Sequence, residues 1–249
     1  MPNPEAGAAD FAATIELLWG APRLRTRGPK PAHSLDDVVE AAVRIADTEG
    51  LEAVSMQRVA QELGFTKMAI YRYVPGRPEL IALMTDRGLG PPPRRLAGEG
   101  WRKGLEAWGL AAYEIFLKHP WGVLTTAGRR VIGPNEAAWT EAGLEALAET
   151  GLSGPDRLDV LAVTIGHLRS AAQQVTAARR DGASGEADME TFFLAALKGR
   201  EQGFPQLIGA IAETAAVAGA NNGLSFGLNC IFDGIEWRLA KRRPSRKQV

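Results

Sequence analysis

Between Ser55 and Val74 the chain holds two short apolar stripes at helical spacing, one on each side of a glycine turn. Met56, Val59, Ala60 and Leu63 make the first, Gly64-Phe65-Thr66 the turn, and Ala69, Ile70 and Val74 the second. Helices this short do not persist alone in water, because nucleation costs more than so few hydrogen bonds return. They must therefore pack on something, and a longer helix is written just upstream. Ser34 with Asp37 three residues on has the pattern of a capping box, and Leu35, Val38, Val39, Ala42, Ile45 and Ala46 form one face that ends at Gly50. Ser55 and Thr66 are placed to cap the two short helices, 55–63 and 66–74, and Pro78 opens a fourth helix running to about Gly88.

Beyond Gly90-Pro91-Pro92-Pro93 the pattern lengthens, with helices expected at 94–118, 134–150, 155–181, 186–202 and 220–242. No segment alternates as a strand does, so the fold expected is all-α. It divides into a flexible arm over 1–33, a helix-turn-helix domain over 34–90, and a larger helical domain over 91–249. In the arm, prolines and glycines leave room for a helix only near Asp10 to Trp19, and residues 23–30 are basic. At 45% hydrophobic and 23% charged residues, the 249-residue chain has an ordinary globular composition, and no apolar run reaches the ~18 residues of a membrane span. Cys230 is the single cysteine and the N-terminus has no signal-peptide pattern, so a cytoplasmic, disulfide-free protein is expected.

Formal charge is zero, with 29 basic and 29 acidic residues, so any nucleic-acid binding must come from local placement. From Ser55 to Arg77 the cations Arg58, Lys67, Arg72 and Arg77 face only one acid, Glu62. Two short helices joined by a glycine turn match a helix-turn-helix, whose second helix enters the major groove. A purely structural three-helix unit fits the same periodicity. Beyond the spacing, Ala41-Ala42 through Gly50-Leu51, Val54 through Gly64, and Ala69-Ile70-Tyr71-Arg72-Tyr73-Val74 resemble the tetracycline-repressor (TetR) family of bacterial transcriptional regulators. The resemblance is dense over residues 34–88; the remainder is similar to the family's C-terminal domains in helicity and length. Where the family has a lysine at the start of the fourth helix, this chain has Arg77, with a proline ahead of its glycine.

The resemblance implies that Gln57 and Lys67 touch base edges and that Met68 and Ala69 meet thymine methyls. It implies that Arg72 reaches a guanine or a phosphate, and that Ser55, Tyr71, Tyr73 and Arg77 fix the helices on the DNA backbone. Ser55 as a plain cap and Tyr73 as a plain core ring remain open. Arg25 and Arg27 in the arm are candidates for an adjacent minor groove.

A specific site on double-stranded DNA usually needs a two-fold dimer. Leu158, Leu161, Ala162, Ile165, Leu168, Ala172 and Val175 in helix 155–181, and Leu224, Leu228, Ile231, Ile235 and Leu239 in helix 220–242, form the stripes for a homodimer interface, or else face the subunit's own core. Trp108, Phe116, Trp121, Trp139, His167, Gln174 and Phe192 are candidates to line a pocket for a small-molecule effector, with ordinary core packing as the alternative. The function expected is a ligand-responsive repressor that binds a palindromic operator and is released by the small molecule. No catalytic set, metal spacing or cofactor motif is present: His33, His119 and His167 have no ligand spacing, and Gly-Leu-Ser-Phe-Gly at 223–227 lacks the strand a nucleophile elbow needs. An all-α small-molecule carrier or enzyme without a DNA role is the alternative.

Overall fold

A computed structural model describes residues 4–20, 33–94, 100–128, 130–180, 186–216 and 223–242. Among them the secondary structure is helical: α1 (Pro4–Trp19), α2 (Leu35–Glu49), α3 (Met56–Glu62), α4 (Lys67–Ile70), α5 (Arg77–Leu89), α6 (Trp101–Lys118), α7 (Gly122–Thr125), α8 (Pro134–Ala146), α9 (Gly154–Arg180), α10 (Glu186–Leu197), α11 (Pro205–Ala216) and α12 (Gly223–Arg242). By packing, two compact units emerge, Met1–Leu161 and Ala162–Val249, with the division within α9. The reason lies in α5, which packs against α1 and α2 on one side and α6, α7 and α8 on the other, merging the first helices with the next ones.

In the first unit, Val38, Ala41, Ala42 and Ile45 of α2 meet Met56, Val59 and Ala60 of α3, Ile70, Val74, and Leu80 and Met84 of α5 in one core. The capping box at the start of α2 is present: Ser34 Oγ accepts from Asp37 N at 3.2 Å, and Asp37 Oδ2 accepts from Ser34 N at 2.6 Å. The Ser34 N–H, together with the Ser34 hydroxyl that donates to the same Oδ2 at 2.8 Å, holds the Asp37 carboxyl below its ordinary pKa.

Several expectations need correcting. The arm contains the helix α1 from Pro4, a full turn and a half before Asp10; a proline is tolerated in a first turn, and five alanines outweigh Gly7. Leu17 and Leu18 lie against the core, and Trp19 Nε1 donates to Ile132 O at 2.9 Å. The basic stretch 23–30 lies outside the described residues. Helix 66–74 is α-helical only over α4; the chain continues through tighter bonds, Arg72 N to Ala69 O and Tyr73 N to Ile70 O. The helix expected at 94–118 is described from Trp101, and those at 134–150 and 186–202 each break before a final 3-10 turn. Two helices had no place in the pattern: α7 is too short to show a period, and Pro205, which read as a separator, opens α11.

Buried Asp86 near the end of α5 links it to α8, whose own N-cap, Gly133, has no side chain to offer. Asp86 Oδ1 accepts from Asn135 N at 2.9 Å and Glu136 N at 3.2 Å, while Oδ2 accepts from Asn135 Nδ2 at 3.1 Å. Burial pushes the Asp86 carboxyl up, against the pull of those hydrogen bonds. Asp86→Ala leaves the first turn of α8 uncapped and is expected to destabilise the fold by about 1–2 kcal/mol, read by urea titration.

In the second unit, Leu168 and Ala172 of α9 and Leu228, Phe232 and Ile235 of α12 are buried. His167 Nε2 donates to Leu224 O at 2.9 Å, and its ring lies so close to Gly227 that a Cβ there would sit 2.3 Å from it.

Candidate nucleic-acid interface

Ser55 sets the start of α3: its hydroxyl accepts from Arg58 N at 3.1 Å, the cap that the sequence implied. Gln57 then points to solvent one residue into the helix. Gly64 makes the turn at φ +68°, a left-handed conformation that favours glycine, and Phe65 N bonds back to Ala60 O at 2.7 Å. The turn delivers α4 with one side closed and the other open. Ile70 and Val74 are fully buried, while Met68 is 75% exposed and Tyr71 and Arg72 are also exposed. Ala69 is half-buried at the edge. Lys67 opens α4, its side chain being outside the described residues.

Tyr73 is occupied within the fold. Its ring stacks on Phe65, centroids 5.6 Å apart and 8° from parallel, and its hydroxyl donates to His33 O at 3.3 Å. His33 also sets its own ring edge-on to Phe65 at 4.9 Å. Arg77 is likewise engaged: Nε donates to Val54 O at 2.8 Å and Nη2 to Leu51 O at 3.1 Å, strapping the start of α5 to the turn ahead of α3. Both side chains thus brace the elements that flank α4.

Arg58 lies between Glu49 at 2.6 Å and Glu62 at 2.8 Å, which holds the guanidinium charged and pulls the Glu49 carboxyl down. The excess of cations counted along the sequence therefore overstates the outward field, because Glu49 lies outside the counted stretch and folds back onto it. Arg72 remains as an exposed cation of the α4 segment. Arg25 and Arg27 lie outside the described residues.

The seven candidate effector residues separate into different environments. Trp108 Nε1 donates to Trp139 O at 2.8 Å and Trp139 Nε1 to Gly90 O at 3.0 Å, so these two buried indoles tie helices together. Phe116 and Trp121 share a narrow apolar cavity with Gly88, Leu89 and Ile115. In the second unit His167 binds a backbone carbonyl, Gln174 is exposed and Phe192 is 72% exposed. Gln174 on α9 and Phe192 on α10 thus stand outward in the single chain.

Two sequence models match this chain: that of the bacterial regulatory proteins of the tetR family over residues 38–84, and that of the tetracyclin repressor-like C-terminal domain over residues 93–239. The chain belongs to the TetR family. Its N-terminal match runs from α2 into α5 and contains the turn and the open face of α4, so the chain is a DNA-binding transcriptional regulator. A relative from Streptomyces coeruleorubidus, the HTH-type transcriptional repressor DrrR1, is 38% identical over 248 residues, covering 96% of this chain and 90% of the relative. Among solved structures, ActR of Streptomyces coelicolor in complex with actinorhodin superposes with a TM-score of 0.70 at 24% identity, covering 83% of this chain and 97% of that one. BioQ with its double-stranded DNA operator superposes with a TM-score of 0.51 at 19% identity, covering 82% and 98%. Both share the TetR fold. Among the described residues no helix is long and apolar enough to cross a membrane.

Proposed function

We propose that this TetR-family chain is a repressor that binds a palindromic operator as a homodimer, lays α4 in the major groove, and is released by a small molecule. The observation that carries it is the two-sidedness of α4: Ile70 and Val74 anchor it while Met68, Tyr71 and Arg72 stand clear of the protein. Gln57 and Lys67 are assigned to base edges, Met68 and Ala69 to thymine methyls, and Arg72 to a guanine edge or a phosphate. Tyr71 and the Ser55 end of α3 meet the backbone. Tyr73 and Arg77, already bonded inside the fold, hold α4 and α3 in register for those contacts, and the arm with Arg25 and Arg27 follows a neighbouring minor groove. Acting on DNA places the protein in the cytoplasm.

The dimer is assigned to helices near 155–181 and 220–242, on the parts of them left exposed in the single chain; of the stripes read along the sequence, Leu158 stays outside. Leu161, Leu168, Ala172, Leu228 and Ile235 are buried inside the single chain. Phe226 at 73% exposure and Trp237 at 59%, with Val163 of α9, are large apolar side chains left outside. Eleven residues is about three helical turns, so Phe226 and Trp237 share one face of α12. Repression is supported by the repressor DrrR1 as a relative, and release by a small molecule by ActR with actinorhodin as a fold neighbour. Effector binding and operator binding then oppose each other by linkage, with a coupling of typically ~1–3 kcal/mol.

Footprinting on the region upstream of the protein's own gene tests the proposal. A protected, roughly palindromic stretch at moderate salt is expected. An unprotected region, or equal competition by random duplex, contradicts it, since specific sites bind ~1,000-fold or more tighter than random DNA.

A further inference from the structure

Trp121 lies outside the tetR-family match over residues 38–84, yet it is 4% exposed within the core that α2, α3 and α5 build. It stands in the turn between α6 and α7, where its Nε1 donates to Asp47 Oδ1 of α2 at 2.7 Å. His119, buried in the same turn, places Nδ1 2.7 Å from the same oxygen, and the two rings lie 5.5 Å apart. One carboxylate oxygen near the end of α2 thus gathers two donors from more than seventy residues downstream. The far edge of the indole rests on α5: a Cβ added at Gly88 would lie 2.9 Å from Trp121 Cη2. Leu89, Ile115 and Phe116 complete the narrow cavity beside it.

Apolar packing alone would join α2 to this turn. Asp47 reaches the surface, but its two donors are buried, His119 at 7% and Trp121 at 4% exposure; such a node adds little net stability over well-packed apolar groups, yet it selects one geometry, because a buried donor moved off the carboxylate is left unsatisfied. Asp47, His119 and Trp121 therefore fix the angle at which α2, and with it α3 and α4, stands against α6 and α7.

We propose that Trp121, seated on Asp47 with His119, is a positioning residue for operator binding, and that pushing its indole off Asp47 lowers operator affinity. This rests on the DNA-binding dimer described above. In such a dimer both copies of α4 must meet half-sites of fixed spacing, so freedom at this node lowers the fraction of molecules in the competent geometry, and apparent affinity falls with that fraction.

The test is fluorescence anisotropy with the duplex protected in the footprint, on the full-length chain. Trp121→Phe keeps a ring and removes the N–H; Asp47→Ala removes the acceptor; Asp47→Asn keeps an oxygen at Oδ1. Trp121→Phe and Asp47→Ala are each expected to weaken binding about tenfold, with the double variant no weaker than either, because both break one node. Asp47→Asn restores binding to within about twofold. Gly88→Ala weakens binding while its helical circular dichroism spectrum stays that of wild type, since the added methyl acts on the indole. If Asp47→Ala fails to fold, Trp121→Phe and Gly88→Ala carry the comparison. Wild-type affinity in Trp121→Phe and Gly88→Ala overturns the positioning role, as do losses that add in the double variant. A wild-type chain that binds no duplex overturns instead the DNA-binding reading on which the inference rests.

Discussion

Replacing Lys67 and Arg72 together by alanine is expected to weaken operator binding by about two orders of magnitude and to flatten its salt dependence. Arg72 is exposed beside the open face of α4, whereas Arg58 is held between Glu49 and Glu62 and Arg77 on the carbonyls of Leu51 and Val54. The reading segment thus depends on few cations, and each one lost is felt. A good base contact contributes ~1–3 kcal/mol, roughly 5- to 150-fold, and every phosphate contact removed lowers the slope of log K against log salt by about 0.9. The two residues separate by their signatures. Loss of a base-edge contact relaxes discrimination among operator variants, whereas loss of a phosphate contact weakens all duplexes alike and takes a unit off the slope. Affinity and slope equal to wild type in the double variant, measured by anisotropy across a salt series, would dismiss both assignments.

A charge placed on the outer face of α12 is expected to do as much damage from far along the chain. Phe226→Glu with Trp237→Glu buries no new group in the single subunit, because both side chains already stand in solvent, and Lys241 Nζ lies 3.8 Å from the Trp237 ring centroid. In the proposed dimer the same carboxylates are desolvated opposite their own symmetry mates, a cost of several kcal/mol for a two-fold interface. Light scattering should find single chains at micromolar concentration with an unaltered helical circular dichroism spectrum. Operator affinity should fall about 100-fold or more, to that of one reading helix on one half-site. A dimer of unchanged strength would move the interface elsewhere.

How legible these features were follows from the distance over which each is determined. The capping box at Ser34, the cap at Ser55 and the buried stripes of α2 and α3 are set by residues three or four apart, and each appears in the structure where its spacing placed it. Arg77 on Leu51 and Val54, Tyr73 on His33, and Trp121 on Asp47 join residues 23 to 74 positions apart, and no local pattern announces such pairs. Pro4 and Gly7 hid the first turns of α1, because a proline in a first helical turn breaks nothing, whereas the stretch from Asp10 to Trp19 was legible as a helix. On α12 the period showed which side chains share a face but not which face is covered. Leu228 and Ile235 went inward, leaving Phe226 and Trp237 outside. The same limit applies to the candidate effector residues, because a buried indole that ties two helices and one that lines a pocket have the same sequence signature.

The central claim is that the α4 segments of two copies enter one duplex together, and a photo-cross-linking side chain in place of Met68 tests it most directly. Met68 is the most exposed large apolar residue of the segment, so a benzophenone there reaches whatever that face meets. Two cross-linked clusters in the protected site, related by its two-fold axis and about one helical turn, ~34 Å, or more apart, are the predicted result. Cross-links scattered evenly along any duplex, or confined to protein, would contradict the account.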